Sequence, residues 1–262
     1  MKDKLIIGRY IPGNSLMHKL DPRVKLVGLI VMMLLVFAAT NLTTNLIMIA
    51  VVTSLVFLTG ISLGIFLRGL KPMIAIIIFT VALQILFTHT GDVLWSFGPL
   101  ALTTGGLTNA AYIFVRFLLI IFLSTILTLT TQPLAITDAM EALLKPFRNI
   151  LPVHEIALML SIALRFVPTL LEEADKIMNA QRARGVDFSE GNILERVKAF
   201  IPVLIPLFIS AFNRAYDLAT AMEARGYKGG EGRTKYRQLH WGKLDTLASI
   251  CLAVLTVVMI IL

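Results

Sequence analysis

The chain has 262 residues, of which 57% are hydrophobic and 15% are charged, and its formal net charge is +8. Soluble domains carry about 25% charged residues, so this chain has too little polar surface to form a water-soluble globule. The composition therefore predicts a membrane protein. The positive charge by itself does not indicate a nucleic-acid partner, because its position along the chain must be considered first.

Five strongly apolar runs are candidate membrane spans. A spanning helix needs about 20 mainly apolar residues. The second, fourth and fifth runs meet this length, whereas the first and third are short and would have to include flanking residues. The runs are Leu26–Thr40, Leu46–Leu67, Met73–Thr88, Ala110–Thr131 and Leu244–Leu262.

The basic residues are distributed on one side of these runs. Residues 1–25 contain six Lys and Arg and residues 132–243 contain fifteen, whereas the links 41–45 and 89–109 contain none. Basic segments stay in the cytosol, so we predict a multi-pass membrane protein with a cytosolic N-terminus. The charge is thus accounted for by topology, and we expect a lipid membrane and no nucleic acid as a partner.

The segment 132–243 contains two apolar stretches, Ile150–Leu171 and Ala199–Phe212, that are interrupted by charged residues or prolines. An unpaired charge in the middle of a bilayer costs about 2.5–3.5 kcal/mol, so neither stretch is typical of a simple lipid-facing span. We expect two long helices that start in or against the membrane, bend at prolines and continue into the cytosol. Asn192 precedes Glu195 by three residues, which predicts the start of the second helix.

Both long helices are amphipathic after their prolines. We expect the two apolar stripes to pack the helices on each other. The stripes are Leu170, Leu171, Ala174, Ile177 and Met178 in the first helix and Phe208, Phe212, Ala215, Ala219 and Met222 in the second.

These elements predict an all-α fold: a polytopic membrane helix bundle of about five spans, with long proline-bent helices that reach the cytosol. Residues 1–131 would form an N-terminal membrane domain of four spans. Residues 132–243 would form a cytosolic domain with two amphipathic helices, and residues 244–262 the last transmembrane helix.

Each amphipathic helix ends in the same pattern, A-x-x-A-R-G. A glycine after a helix adopts the left-handed conformation easily, and an arginine in the last turn complements the helix dipole, so both copies could be ordinary helix ends. Capping does not require alanine followed by arginine twice, however. A small residue allows close approach of another protein, and arginine can pair with a carboxylate through two hydrogen bonds. The candidate binding residues are Ala183, Arg184, Gly185, Ala224, Arg225 and Gly226.

Two similar tips suggest two similar receptor grooves, and therefore a pair of related partner subunits. Four stretches add a resemblance to a known family. They are GRYIPGNSLMHKLDPRVKL (8–26), TLTTQPLAITDAMEALLKP (128–146), LSIALRFVPTLLEEADKIMNAQRARGVDF (160–188) and AMEARGYKGGEGRTKYRQLHW (221–241). The chain resembles the transmembrane (T) component of energy-coupling factor transporters, the vitamin-importing branch of the ABC superfamily, over nearly its whole length.

The resemblance implies a non-catalytic coupling subunit in a bacterial cell membrane. Each tip would bind a groove of one of two related ABC ATPase subunits, with Arg184 and Arg225 making the main polar contacts. The membrane spans would hold one or several small membrane proteins that bind the vitamin, the S components. ATP-driven motion would pass from the ATPases through the coupling helices to the S component. The substrate is not encoded here, and a T component dedicated to cobalt or nickel uptake remains an alternative.

A stand-alone secondary transporter is a second alternative. Such carriers usually place carboxylates in the membrane, but the five runs contain no Asp or Glu except Asp245 at the start of the last. A membrane enzyme is a third, yet no nucleophile with a base, no carboxylate pair and no metal-ligand spacing is found. The phosphate-binding pattern G-x-x-x-x-G-K-[ST] does not occur. We therefore expect no enzyme activity, no cofactor, no metal site and no catalytic residue.

Three weaker signals allow two interpretations each, and a fourth allows one. Arg116, inside the fourth run, could contact an S component or another helix, or extend to the lipid headgroups. Residues 21–23, Asp-Pro-Arg, could anchor the chain at the interface or start a helix. Gly60 and Gly64 could mark a close helix contact or lie next to a loop. The basic residues within 233–237 are expected to face anionic headgroups.

Overall fold

A computed structural model describes residues 10–88, 90–97, 100–148, 150–188, 192–229 and 238–262. Apart from one short hairpin, the regular elements of these ranges are helical, which confirms the prediction of an all-α fold. The basic residues predicted to face headgroups within 233–237 lie outside the described residues. A 3₁₀ turn at Lys145–Phe147 follows α7. The elements are α1 (Leu16–Lys19), α2 (Pro22–Ala38), α3 (Leu42–Thr59), α4 (Leu63–Leu70), α5 (Ile74–Phe87), β1 (Val93–Phe97), β2 (Leu100–Thr103), α6 (Thr104–Thr130), α7 (Pro133–Leu144), α8 (Val153–Ala183), α9 (Ile193–Ala224) and α10 (Lys243–Ile261).

Among the described helices, α3, α6, α8 and α10 are long and apolar enough to cross a membrane, and α4 with α5 would make a fifth span bent by 64°. This confirms the predicted number of about five, although not every predicted member. The first run forms α2, whose 17 residues extend about 25 Å, less than the ~30 Å of a bilayer's hydrocarbon core. Helix α8 has 31 residues and extends about 46 Å, more than the membrane needs.

The described residues fall into two compact units. The first comprises those up to Ala142 and those from Gln238 onwards, and the second comprises those between Leu143 and Arg237. In the first unit α6 packs against α2, α3 and α5. Its largest apolar cluster centres on Met48 and Val52 of α3, both fully buried, with Leu119 of α6. The apolar runs therefore supply the contacts between helices as well as surface for lipid.

The N-termini of α2 and α10 meet through two buried aspartates. The Asp21 carboxylate caps α2 by accepting from the Arg23 N–H at 2.8 Å, which confirms that residues 21–23 start a helix. The Asp21 N–H donates to Asp245 Oδ1 at 2.7 Å. Asp245 Oδ2 accepts from the Gly242 N–H at 2.7 Å and so caps α10. Only 4% of Asp21 and 3% of Asp245 are exposed, so one buried carboxylate accepts from backbone donors at two helix ends.

We expect Asp245→Ala to lower the free energy of unfolding by about 2–4 kcal/mol, because the buried Asp21 N–H would lose its acceptor and α10 would lose the cap at Gly242. Asp245→Asn keeps one acceptor oxygen and should cost less. The measurement is thermal unfolding of the purified chain in detergent. Asp175→Ala, at an exposed aspartate of α8, serves as the control. Equal melting temperatures for Asp245→Ala and the control would contradict this prediction.

Arg116 of α6 contacts another helix. Its Nη2 donates to the carbonyl oxygens of Ala39 at 3.3 Å and Phe37 at 3.4 Å, and its guanidinium lies 5.5 Å from the centre of the Phe37 ring. The last carbonyls of a helix have no partner within the helix. Arg116 therefore closes the C-terminal end of α2, which supports the helix-contact interpretation over extension to the headgroups.

The two glycines of the second run lie next to a loop. Gly60 ends α3 in the left-handed region with φ 66°. A Cβ on Gly64 would meet no heavy atom within 4 Å, so Gly64 mediates no close packing of described elements. The interpretation as a loop-adjacent pair is confirmed.

The hairpin β1–β2 was not predicted from the link 89–109, which contains no Lys or Arg. It leads directly into α6, whose first turn is capped by the Thr103 hydroxyl accepting from the Gly106 N–H at 3.0 Å. Helix α6 thus begins at Thr104, before the predicted run. A Cβ on Gly106 would lie 2.9 Å from Thr103 Oγ1 and 3.2 Å from the Thr88 carbonyl. Glycine usually disfavours a helix, but at position 106 it is required, because Thr103 and the neighbouring backbone leave no room for a Cβ.

Candidate functional site: the tips of two paired helices

In the second unit α8 and α9 are joined by a polar cluster near their middles. Glu173 of α8 accepts a short hydrogen bond from the Ser210 hydroxyl. The other oxygen of this carboxylate accepts from Arg214 Nη2 at 3.1 Å. The Arg214 guanidinium also lies 5.8 Å from the centre of the Phe166 ring of α8. These contacts fix which face of α9 meets α8.

The prediction that the two apolar stripes pack against each other is wrong for α9. Phe208 is 65% exposed and Phe212 is 61% exposed, and their rings contact only each other among described aromatic side chains, at 4.6 Å. The side of α9 that meets α8 carries Ser210 and Arg214 instead. Because the helices meet through polar groups, the apolar stripe of α9 is left uncovered. The stripe of α8 is mostly half-buried, with Leu171 as the exposed member.

Helix α9 starts where the sequence predicted. Glu195 Oε2 accepts from the Asn192 N–H at 3.0 Å, which is one half of a capping box. The Asn192 carbonyl accepts from the Arg196 N–H at 3.0 Å. This start leaves nine residues, 184–192, between the two long helices.

The first tip is a Schellman motif. The Gly185 N–H donates to the Arg182 carbonyl and the Val186 N–H to the Gln181 carbonyl, both at 3.0 Å. Gly185 has φ +87°, in the left-handed region. This pair of bonds satisfies carbonyls that the end of α8 would otherwise leave without partners.

The second tip repeats the same geometry. The Gly226 N–H donates to the Glu223 carbonyl at 2.8 Å and the Tyr227 N–H to the Met222 carbonyl at 3.0 Å. Gly226 has φ +73°. The left-handed glycine predicted for each copy of the repeat is confirmed.

Both tips present their side chains outwards. Alanine, arginine and glycine of each copy are exposed. In the described part of the chain neither Arg184 nor Arg225 makes a side-chain hydrogen bond or ion pair. Arg182 differs, because it donates to Asn179 Oδ1 at 3.2 Å and lies 5.6 Å from the centre of the Phe188 ring. The fold therefore holds two guanidinium groups on rigid turns without engaging them.

The tips also leave room for another backbone. A Cβ built on Gly185 or on Gly226 would meet no heavy atom within 4 Å. Nothing within the described chain excludes larger residues by contact at these positions. The conformation alone requires glycine there, and a second protein could approach closely.

The residues that position the tips were not predicted from the sequence. Arg214 lies outside the apolar stripe that was expected to make the contact, and Glu173 was not considered. A signal was present, because Glu173 and Arg214 are 41 residues apart, the same separation as that between Arg184 and Arg225. Opposite charges at equivalent positions of a repeat are well placed to pair across it.

A sequence model of the CbiQ family, described as cobalt transport protein, matches residues 13–236, which include both tips. The energy-coupling factor transporter transmembrane protein EcfT of Streptococcus equi is 57% identical over 254 residues, 97% of this chain and 94% of the relative. The chain belongs to the family of T components of energy-coupling factor transporters. Proteins of the same name from Lacticaseibacillus paracasei and Bacillus subtilis are 56% and 51% identical over at least 99% of each chain.

This T component is a multi-pass membrane subunit of a transporter, as its family and its apolar helices show. The resemblance stated from its sequence motifs is confirmed. Among its described residues no group of three or more His, Cys, Asp or Glu side chains could hold a metal ion.

Proposed function

We propose that this T component is the non-catalytic coupling subunit of an energy-coupling factor importer. It transmits ATP-driven motion from two related ABC ATPase subunits to a membrane-embedded S component that binds a vitamin. The observation that carries the proposal is the pair of tips: two helix ends with the same motif, the same Schellman hydrogen bonds and an exposed arginine each.

The tips suit two homologous grooves. Residues 183–185 and 224–226 present an arginine beside a small residue, so a partner's backbone can approach while the guanidinium pairs with a carboxylate. A single partner with one groove would use one tip only. Two ATPase subunits of one fold, each hydrolysing ATP, account for the duplication and leave the T component without a catalytic role.

The topology supplies the connection to the membrane. Residues 132–243 form the coupling domain, whose two long helices start in or against the membrane and continue into the cytosol, where the N-terminus also lies. Residues 1–131 and 244–262 form the membrane domain. The exposed apolar stripe of α9 around Phe208 and Phe212 offers a surface for an S component. A displacement of the tips would then also move that surface, because the helices are rigid.

The test is to tag this chain in its native host, extract it in mild detergent and identify the co-purifying proteins by mass spectrometry. We expect two related ATPases and at least one small membrane protein. Small molecules released from the complex would name the vitamin. Purification of the chain alone, with solute uptake after its reconstitution into liposomes, would contradict the coupling function and favour a stand-alone carrier.

A complex dedicated to cobalt is a second candidate, favoured by the description of the matching family as cobalt transport proteins. The two candidates differ in cargo and not in the role of the tips. Uptake of radiolabelled cobalt, without a vitamin in the purified complex, would support the second candidate.

A further inference from the structure

Helices α8 and α9 share very little apolar core. Among side chains that the structure describes, Val203 is the single buried hydrophobic residue of α9, at 4% exposure. In α8 the buried ones are Val153 and Ala157, in its first two turns. A buried core this small provides little of the close packing that fixes two helices in one relative position. Polar contacts between the helices therefore contribute to fixing it.

The first of these contacts is the cluster of Glu173, Ser210 and Arg214. Its ion pair joins Glu173 Oε2 to Arg214 Nη2 at 3.1 Å, with 27% and 30% of the side chains exposed. The Ser210 hydroxyl occupies the other carboxylate oxygen. Glu173 and Arg214 each precede the arginine of their own tip by about three helical turns. The cluster thus joins α8 and α9 at equivalent positions of the two repeats.

The second contact involves the first tip itself. Pro206 has no N–H, so within α9 the Pro202 carbonyl loses the helical hydrogen bond that residue 206 would otherwise donate. Gln181 Nε2 of α8 donates to this carbonyl at 3.3 Å. Gln181 is also the residue whose carbonyl accepts from the Val186 N–H in the Schellman turn. A side chain of the first tip thus donates the hydrogen bond that the proline removes from the other helix.

We propose that Glu173–Arg214 and Gln181–Pro202 form an interhelical clamp that makes the two arginine tips move as one unit. The proposal rests on the proposed coupling function and names positioning residues for it. With the clamp formed, closure of the two ATPases on the tips displaces α8 and α9 together. With the clamp open, each helix moves with its own ATPase, and this motion is not transmitted to the S component.

The experiment measures the distance between the tips directly. Ala180 and Ala221 are equivalent in the repeat and exposed, and spin labels on cysteines at these sites report the separation by pulsed electron paramagnetic resonance. The exposed native cysteine, Cys251, is first replaced by serine. The full chain is measured in lipid nanodiscs, alone and in the complex that co-purifies with it.

We expect a narrow distance distribution for the parent chain and a broad one for Glu173→Gln combined with Gln181→Leu. Loss of a hydrogen-bonded ion pair should lower the ratio of clamped to open molecules at least tenfold. The exchange Glu173→Arg with Arg214→Glu should restore the narrow distribution. Glu172→Gln makes the same chemical change at a neighbouring exposed glutamate and should leave the distribution unchanged.

A narrow distribution in the clamp variant, or a charge exchange that restores nothing, would overturn the proposal. In the complex, the clamp variant should still co-purify with the ATPases and hydrolyse ATP, but import should fall at least as far as the clamped population. If the parent chain retained no ATPases while its tips behaved as described, the coupling function would fail and the clamp would stand.

Discussion

The double substitution of Arg184→Ala and Arg225→Ala is expected to release both ATPase subunits from this T component. Both side chains are exposed and make no polar contact with the described residues, so their removal leaves the chain's own fold intact. If each guanidinium pairs with a buried carboxylate of an ATPase, its loss costs about 2–5 kcal/mol of interface energy, roughly 30- to 5,000-fold in affinity. The measurement is the amount of each ATPase that co-purifies with the tagged chain.

The single variants resolve which tip holds which partner. Each should lose one ATPase preferentially, and Arg184→Lys should bind with intermediate strength because lysine keeps the charge but not the planar fork. Arg182→Ala is the matched control, since Arg182 lies in the same tip but is already bound to Asn179. Retention of both ATPases by the double alanine variant would refute the assigned role of the tips.

A second large effect is expected for Gly185→Asn with Gly226→Asn. Asparagine tolerates the left-handed backbone that both glycines adopt, and the added side chains have open space in the chain itself. The variant should therefore unfold at nearly the parent temperature. In a closely packed ATPase groove, however, each side chain would overlap with the partner at a cost of about 1–3 kcal/mol, so ATPase retention should fall steeply.

Two comparisons separate this steric effect from backbone strain. Gly185→Ala adds a smaller side chain but destabilises the left-handed turn by about 1–2 kcal/mol, so it should lower the melting temperature more than asparagine does. Gly229→Asn makes the same change at another glycine with positive φ, +94°, and open surroundings, beyond the second motif. Normal ATPase retention by the double asparagine variant would show that no partner lies against the glycines.

The tips and the clamp have different roles in the proposed coupling function. The Schellman turns fix the direction of each arginine relative to its own helix, within a single turn of chain. Glu173 and Gln181 fix one helix relative to the other. Loss of a tip is expected to remove an ATPase, whereas loss of the clamp is expected to leave the ATPases bound but unable to drive import efficiently.

Much of this organisation is present in local sequence. The apolar runs predict spans because a bilayer requires a minimum length of apolar helix. Asp21 and Asn192 predict helix starts, and Gly185 and Gly226 predict helix ends, because the hydrogen bonds of a cap connect residues only a few positions apart. The family motifs lie at these same termini, so the candidate tip residues could also be named from the sequence.

The pairing of distant elements was decided by the tertiary structure. The amphipathic pattern of α9 showed an apolar face around Phe208 and Phe212 but could not show which face meets α8. The structure places Arg214 against Glu173 and leaves both rings exposed. Likewise, the sequence left the partner of Arg116 open, and only the packing of α6 beside the end of α2 provides it. Hydrogen bonds between near neighbours in sequence determine where a helix begins and ends. Which helix it packs against depends on side chains that are far apart in the sequence.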